Sequence, residues 1–231
     1  MPREWDAKTY DSLPLPHQIW GRRTLGRMKL RGDETVLDAG AGTGRDTAAL
    51  LDLLPEGRVI AVDGSQRMLD RLASNLADRL DRVEVINADL TKPLPVTESV
   101  DAVFSVATFH WIHDHETLFR NIAGVLRPGG QFVAECGGLG CVVRVLAAVE
   151  DVLGTPAKAA HFAGAEETAE RLDRAGFTDV EVDLLPDPAR LRPGDEFRSY
   201  LRTVVLGPYL DQLPEPERDG FIRDVAARLP E

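Results

Sequence analysis

The sequence is poor in cysteine and in long apolar runs. Its 231 residues include two cysteines, Cys136 and Cys141, only five positions apart. The first residues, Met-Pro-Arg-Glu-Trp-Asp, contain no apolar signal core. We therefore expect free thiols and a cytoplasmic protein. No long uncharged apolar run is present, so no membrane span is predicted.

Positive charge is also in short supply. Lys and Arg number 27 against 38 Asp and Glu, which gives a formal net charge of −11. Sequence-independent binding to DNA or RNA depends on clustered cations, so nucleic acid is not an expected partner. The hydrophobic fraction of 43% in a chain of this length suffices for one α/β domain with a sizeable core.

Three of the 20 glycines, in contrast, alternate within one short segment. Residues 36–44 read Val-Leu-Asp-Ala-Gly-Ala-Gly-Thr-Gly, the end of an apolar strand followed by a glycine turn and a helical run. Glycine permits the strained backbone of such a turn and the close approach of a ligand. Asp38 lies at the carboxyl end of the strand, where open α/β sheets bind ligands. Because position 45 is arginine, the Gly-x-Gly-x-x-Gly spacing of dinucleotide-binding proteins is not met from Gly40.

Two further acidic residues follow later strands. Asp63 ends the apolar run 59–62, and Asp89 comes shortly after the run 83–86. The carboxyl ends of parallel strands lie at one edge of a sheet, so Asp38 and these two residues are expected to make that edge acidic. An acidic edge attracts a cationic ligand such as a sulfonium and repels a pyrophosphate.

Together with Leu-Arg-Pro-Gly-Gly at 126–130, these motifs resemble those of the class I S-adenosylmethionine-dependent methyltransferases. The resemblance implies a Rossmann-like three-layer sandwich, a mostly parallel twisted sheet with helices on both faces. It implies S-adenosyl-L-methionine as cofactor, with Asp38 at the methionine end, Asp63 on the ribose and Asp89 on the adenine amino group. The cofactor-binding residues predicted in this way are Asp38, Ala39, Gly40, Gly42, Asp63, Gly64, Met68, Ala88, Asp89, Leu90 and Val106.

The order of the patterns predicts a single domain with three parts. A helical N-terminal lid spans 1–32, the cofactor-binding core spans 33–136, and substrate-side helices with the remaining strands span 137–231. A sixth strand is expected at 178–184. The antiparallel seventh strand usual in this class is either supplied by 184–191 or missing.

The segment after the fourth strand carries the candidates for the methyl acceptor. Phe-His-Trp at 109–111 lacks the Asn/Asp-Pro-Pro-Tyr of nucleic-acid amino methyltransferases and the acidic loop of protein arginine methyltransferases. It is similar to small-molecule methyltransferases of the trans-aconitate type, as is Phe-Arg-Ser-Tyr-Leu-Arg at 197–202. That resemblance implies O-methylation of a carboxylate. A carboxylate is ionised at neutral pH, so it requires no general base.

Six residues are predicted to serve the acceptor. Indole and amide groups can donate hydrogen bonds to a substrate oxygen, and an arginine can clamp a carboxylate. The predicted catalytic residues are His110, Trp111 and Gln18, and the predicted substrate-binding residues are Trp20, Arg144 and Arg202.

Several alternatives stay open from sequence. A hydroxyl-bearing natural product is the second acceptor class, with His110 as general base. A nicotinamide-dependent oxidoreductase and a non-catalytic cofactor-binding protein are more remote. No metal site is expected, because His113 and His115 alternate and so diverge on a helix. The chain is expected to be a monomer or a homodimer with a small-molecule substrate.

Overall fold

The computed structural model describes residues 3–13, 17–188 and 194–229. At the N-terminus two short helices, α1 (Ala7–Ser12) and α2 (His17–Leu25), precede the first strand. The Asp6 carboxylate caps α1 by accepting a hydrogen bond from the backbone N–H of Thr9. This side chain satisfies one of the amide groups that the first turn of a helix leaves unpaired.

The centre of the fold is a five-stranded parallel sheet in the order β3-β2-β1-β4-β5. The order reverses between β1 and β4, which is where ligands bind in open α/β sheets. The predicted mostly parallel sheet is confirmed. Its strands are β1 (Thr35–Ala39), β2 (Arg58–Asp63), β3 (Val83–Asn87), β4 (Val100–Val106) and β5 (Leu126–Glu135).

Helices cover both faces of this sheet and continue beyond it. Ser65 is the N-cap of α4 (Gln66–Asn75) and Asp114 is the N-cap of α5 (His115–Val125), each accepting a hydrogen bond from a backbone N–H of the first turn. A 3₁₀ turn, Phe109–Trp111, follows β4, and a π-helical turn, Leu201–Val205, follows α8. The remaining helices are α3 (Arg45–Leu53), α4 (Gln66–Asn75), α5 (His115–Val125), α6 (Val143–Leu153), α7 (Ala165–Arg174), α8 (Asp195–Tyr200), α9 (Gly207–Leu210) and α10 (Glu215–Ala226).

Alternate residues of the strands supply the two cores of the sandwich. Val36 packs with the helices on one face, and Leu37 packs with those on the other. Both side chains are fully buried, as the period of two along a strand requires. A third apolar cluster lies within the C-terminal helices, and Tyr10 and Leu13 from the N-terminal segment pack against it. The N-terminal segment therefore contacts the C-terminal helices.

The predicted sixth strand is wrong. Residues 178–188 carry no strand, so β5 is an edge of the sheet in the part of the chain described here. Val180 and Val182 still pack against the core, so the alternating pattern reflects burial without strand pairing. Asp179, with φ of 54°, interrupts the extended backbone with a left-handed conformation. Residues 184–188 provide no seventh strand either, and 189–191 lie outside the described residues.

The described helices include none long and apolar enough to cross a membrane.

Candidate functional site

The glycine turn after β1 is held by close contacts on two sides. Gly40 and Gly44 both have φ of +86°. A Cβ on Gly40 would lie 2.1 Å from the hydroxyl of Thr108, and one on Gly44 would lie 2.7 Å from Leu72. Gly42, with φ of +55°, has nothing within 4 Å of the corresponding position. The turn therefore packs tightly against its surroundings and keeps open space at Gly42, as a ligand cradle requires.

Asp63, at the end of β2, fixes the position of this turn. Its carboxylate accepts one hydrogen bond from the backbone N–H of Gly42 over 2.9 Å and another from that of Ser65 over 2.8 Å. Burial raises the pKa of Asp63 despite these donors. Each carboxylate oxygen can accept more than one hydrogen bond, so Asp63 can still bind hydroxyl groups of a ligand.

Asp38 is a buried carboxylate, 2% exposed, that accepts a hydrogen bond from the Thr47 hydroxyl over 2.6 Å. Burial first, and the nearby charge of Asp46 second, raise the pKa of Asp38 to about 8. Burial also raises the pKa of Asp46 to about 6. No cation is among the causes that act on the pKa of Asp38 or Asp63 among the described residues, and the charge of Arg45 only partly offsets the burial of Asp46. This unneutralised acidic edge favours a cationic ligand.

Asp89 lies beyond β3 at the same edge. Its Oδ1 accepts hydrogen bonds from the backbone N–H and the hydroxyl of Thr91, over 2.9 and 2.7 Å. Burial raises the pKa of Asp89, but these bonds outweigh it, so the pKa is lowered overall. The other predicted cofactor residues end or follow the strands of this edge or begin α4: Ala39, Val106, Gly64, Ala88, Leu90 and Met68.

Two acidic residues of the N-terminal segment, missed by sequence reasoning, attach that segment to the cofactor edge. Glu4 accepts hydrogen bonds from the Ser65 hydroxyl and from the first backbone N–H groups of α4. Asp11 accepts hydrogen bonds from the Thr43 hydroxyl over 3.0 Å and from Arg71 over 2.8 Å. Nothing local in the sequence marks these residues as contacts of the glycine turn.

The predicted acceptor residues His110 and Trp111 lie in the 3₁₀ turn after β4. The Trp111 ring packs edge-on against Trp5, with centroids 5.4 Å apart, and tilts against His110 at 4.8 Å. The His110 ring is buried and stacks on Phe162. Its Nδ1 accepts a hydrogen bond from the backbone N–H of Gly137 over 3.1 Å. In the neutral imidazole this bond places the ring proton on Nε2.

A second set of polar contacts supports this turn from behind. His115 donates through Nε2 to the carbonyl oxygen of Phe109 over 3.0 Å, and the backbone N–H of His161 donates to that of His110 over 2.8 Å. Nη1 of Arg171 lies 3.4 Å from His115 Nδ1 and 3.2 Å from His161 Nε2. Burial lowers the pKa of His115. Burial first, and the charge of Arg171 as a smaller cause, favour the neutral ring, whose Nε2 proton is then directed at the carbonyl of the turn.

Of the remaining predicted acceptor residues, Trp20 lies on α2, Arg144 on α6 and Arg202 in the π-helical turn. Arg202 pairs with Asp219 of α10, so its guanidinium already has an acidic partner. Arg144 is exposed on α6 and forms no ion pair within the part of the chain described here. The indole N–H of Trp20 donates to Asp187 over 3.0 Å. The side chain of Gln18 lies outside the described atoms.

The described residues contain no group of three or more His, Cys, Asp or Glu side chains arranged to hold a metal ion. Arg171, a cation, lies between His115 and His161.

The sequence matches a family over the region that forms this edge. Residues 36–130 match the family described as "Methyltransferase domain". Over 249 residues the chain is 26% identical to the trans-aconitate 2-methyltransferase of Acidovorax sp. (strain JS42), covering 99% of this chain and 90% of that enzyme. It is 36% identical over 126 residues to the trans-aconitate 2-methyltransferase of Azoarcus sp. (strain BH72), covering 54% of this chain but only 48% of that enzyme.

The fold has a solved counterpart among methyltransferases. Haemonchus contortus phosphoethanolamine N-methyltransferase 2, in complex with S-adenosyl-L-methionine, is similar with a TM-score of 0.63 at 20% identity. The match covers 91% of this chain and 48% of that one. At this identity the likeness shows the fold.

Proposed function

We propose that this chain, which belongs to the class I S-adenosylmethionine-dependent methyltransferases, methylates a carboxylate oxygen of a small organic acid. S-adenosyl-L-methionine is its methyl donor. The acidic edge fits that cofactor, since a sulfonium and an ammonium supply the positive charge that Asp38 and Asp63 lack among the described residues.

The proposal gives three acidic residues of this edge one part of the cofactor each. Asp38 would accept hydrogen bonds from the ammonium, Asp63 from the ribose hydroxyls and Asp89 from the adenine amino group, while Gly42 leaves room for close approach. When bound, the cofactor supplies a methyl carbon to an acceptor oxygen, the carbon–sulfur bond breaks, and a thioether remains.

The observation that carries the choice of acceptor is the hydrogen bond from Gly137 to His110. The Nδ1 lone pair is occupied, and Nε2 holds the proton, so the neutral ring can donate a hydrogen bond but cannot take a proton from a hydroxyl. A carboxylate is already ionised at neutral pH and has no proton to remove. The hydrogen bond from Gly137 therefore disfavours the second acceptor class, a hydroxyl group that His110 would deprotonate.

In this proposal the turn orients the acceptor. The indole N–H of Trp111 is a donor that suits a carboxylate, the His110 ring packs beside it, and Trp5 helps to exclude water. Orientation and proximity together contribute up to about 7–11 kcal/mol to such a transfer. The relatives support an acidic acceptor, because trans-aconitate is a tricarboxylic acid.

The test is turnover with methyl-labelled cofactor against matched acids, phenols and alcohols. The expected product is a methyl ester, which releases labelled methanol in mild alkali, whereas a methyl ether keeps its label. Label that is stable to alkali, with no acid methylated, would overturn the carboxylate proposal and leave the methyltransferase assignment standing.

A free small molecule as acceptor, a cytoplasmic location and a monomeric or homodimeric state are proposals as well. Acceptor turnover without any macromolecular partner, cell fractionation and size-exclusion chromatography with light scattering test these in turn.

A further inference from the structure

The guanidinium of Arg3 packs between Trp5 of its own segment and the C-terminal end of α9. Its Nε donates to Asp211 over 2.5 Å, and its Cζ lies 4.6 Å from the centroid of the Trp5 ring. A Cβ on Gly207 would lie only 2.2 Å from Arg3 Nη1. Glycine at 207 therefore makes room for this guanidinium.

One nitrogen of this group has an unmet requirement. Nη1 of Arg3 is buried and has no hydrogen-bond partner among the described residues. A buried, unpaired donor is costly, and a charged one more so. An unpaired buried donor of this kind suggests that a ligand supplies the missing acceptor. For a planar guanidinium the matching acceptor is an oxyanion.

Arg3 is connected to the acceptor side through aromatic rings. Trp5, beneath the guanidinium, is the same residue that packs against Trp111. Trp111 in turn packs against His110. Only the side chain of Trp5 therefore separates Arg3 from the His110–Trp111 turn, where the acceptor is proposed to bind. In a chain with a net charge of −11, a local cation is also what brings an anionic substrate to the site.

We infer that Arg3 binds a second carboxylate of the acceptor, so that the enzyme selects dicarboxylic acids over monocarboxylic acids of the same length. This inference rests on the proposed function. One carboxylate accepts the methyl group at the turn, and the other binds Arg3 Nη1, which it reaches when the N-terminal segment opens. Contact with Trp5 and Asp211 holds the guanidinium in place before the acceptor binds, which lowers the entropy that binding costs.

The first experiment compares kcat/KM for straight-chain dicarboxylic acids, from succinic to pimelic, with the monocarboxylic acid of each length. Arg3→Met should reduce kcat/KM for the preferred diacid by about 10- to 100-fold, the range expected for hydrogen bonds to a charged group. Activity on the monoacids should change little. Arg3→Lys keeps the charge but not the planar guanidinium. Its kcat/KM for the preferred diacid should lie between the values of the wild type and Arg3→Met. The exposed Arg22→Met is the matched control.

A second pair of variants displaces the guanidinium without removing it. In Gly207→Ala the new methyl group meets the flexible end of Arg3, so Arg3 moves and the fold is kept. This variant should lose the preference for diacids as Arg3→Met does. The control is Gly220→Ala in α10, where a Cβ would meet nothing closer than 3.9 Å.

The outcomes separate this inference from the proposed function. If no acid is methylated by the wild type, the proposed function fails. If acids are methylated but monoacids serve as well as diacids, and Arg3→Met changes neither, the role of Arg3 is wrong and the proposed function stands. If Arg3→Met weakens cofactor binding in calorimetry and lowers activity on both acid classes equally, Arg3 positions the N-terminal segment and is not a clamp.

Discussion

The backbone N–H of Gly137 donates a hydrogen bond to His110 Nδ1 over 3.1 Å, and so determines which ring nitrogen holds the proton. Gly137 lies two residues beyond Glu135, the last residue of β5, so the tautomer of a residue after β4 is set by the segment that follows the neighbouring strand. In the proposed function His110 helps to orient the acceptor and is not its general base.

The first prediction concerns pH. With an acid acceptor at saturating cofactor, kcat should change little between about pH 6 and 9, because the acceptor is ionised throughout. His110→Ala should cost less than about 10-fold, the loss of one hydrogen bond. A fall in kcat as His110 protonates, with a loss of about 10²-fold or more in the variant, is the behaviour of a general base and contradicts the assignment.

The second prediction links cofactor binding to Asp38. Its pKa of about 8 means that the carboxyl is mostly protonated at neutral pH before a cation binds. An ammonium at Asp38 favours the ionised form, so cofactor binding should release a proton below about pH 8, and affinity should rise with pH up to that value. Calorimetry in buffers of different ionisation enthalpy measures the proton directly.

The control for this prediction is Asp38→Asn, which should bind the cofactor weakly and without proton release. The same variant should unfold at a higher temperature than the wild type above about pH 8, because a raised pKa destabilises the fold as pH rises through it. Cofactor binding that is independent of pH between about 6 and 8 would contradict the role of Asp38.

The sequence predicts the parts of the fold that depend on short runs of neighbouring residues. Strands β1 to β5 and the acids at 38, 63 and 89 follow from runs of a few residues each. The sixth strand fails because the alternation of buried residues does not reveal the left-handed backbone of Asp179. Burial and strand pairing share a period of two, so the pattern cannot separate them.

The contacts that sequence reasoning misses join residues far apart in the chain. Glu4 and Ser65 are 61 positions apart, and Arg3 and Asp211 are 208 apart. An acid or an arginine in a polar N-terminal segment carries no local sign of its partner. The predicted substrate-binding arginines illustrate this, since Arg202 pairs with Asp219, whereas the buried guanidinium nitrogen left without a partner among the described residues belongs to Arg3.

The third prediction tests the support behind the acceptor turn. Arg171→Met removes the donor to His115 and His161, so the Phe109–Trp111 turn loses its fixed geometry. We expect kcat to fall by about 10-fold, with KM for the cofactor unchanged, because misplaced orienting groups act on the transfer step. Arg171→Lys should restore part of the rate.

The contrasting control is Arg174→Met. Arg174 lies on the same helix and forms an exposed pair with Glu116, so its loss should change neither constant. Equal effects of Arg171→Met and Arg174→Met would show that the contacts to His115 and His161 do not govern the turn.

The fourth prediction is that the N-terminal segment moves with cofactor binding. Asp11 joins α1 to the glycine turn and to α4 through Thr43 and Arg71. In Asp11→Ala these bonds are lost, so α1 should open more often and the cofactor should dissociate about 10-fold faster. Asp70→Ala, which removes only an exposed contact with Gln66, is the matched control.

Trypsin reports the opening through cleavage at Arg3 and Lys8. Cofactor should protect these sites in the wild type, and less in Asp11→Ala. Cleavage at the same rate with and without cofactor in the wild type would mean that the segment is packed permanently on the sheet and does not act as a lid.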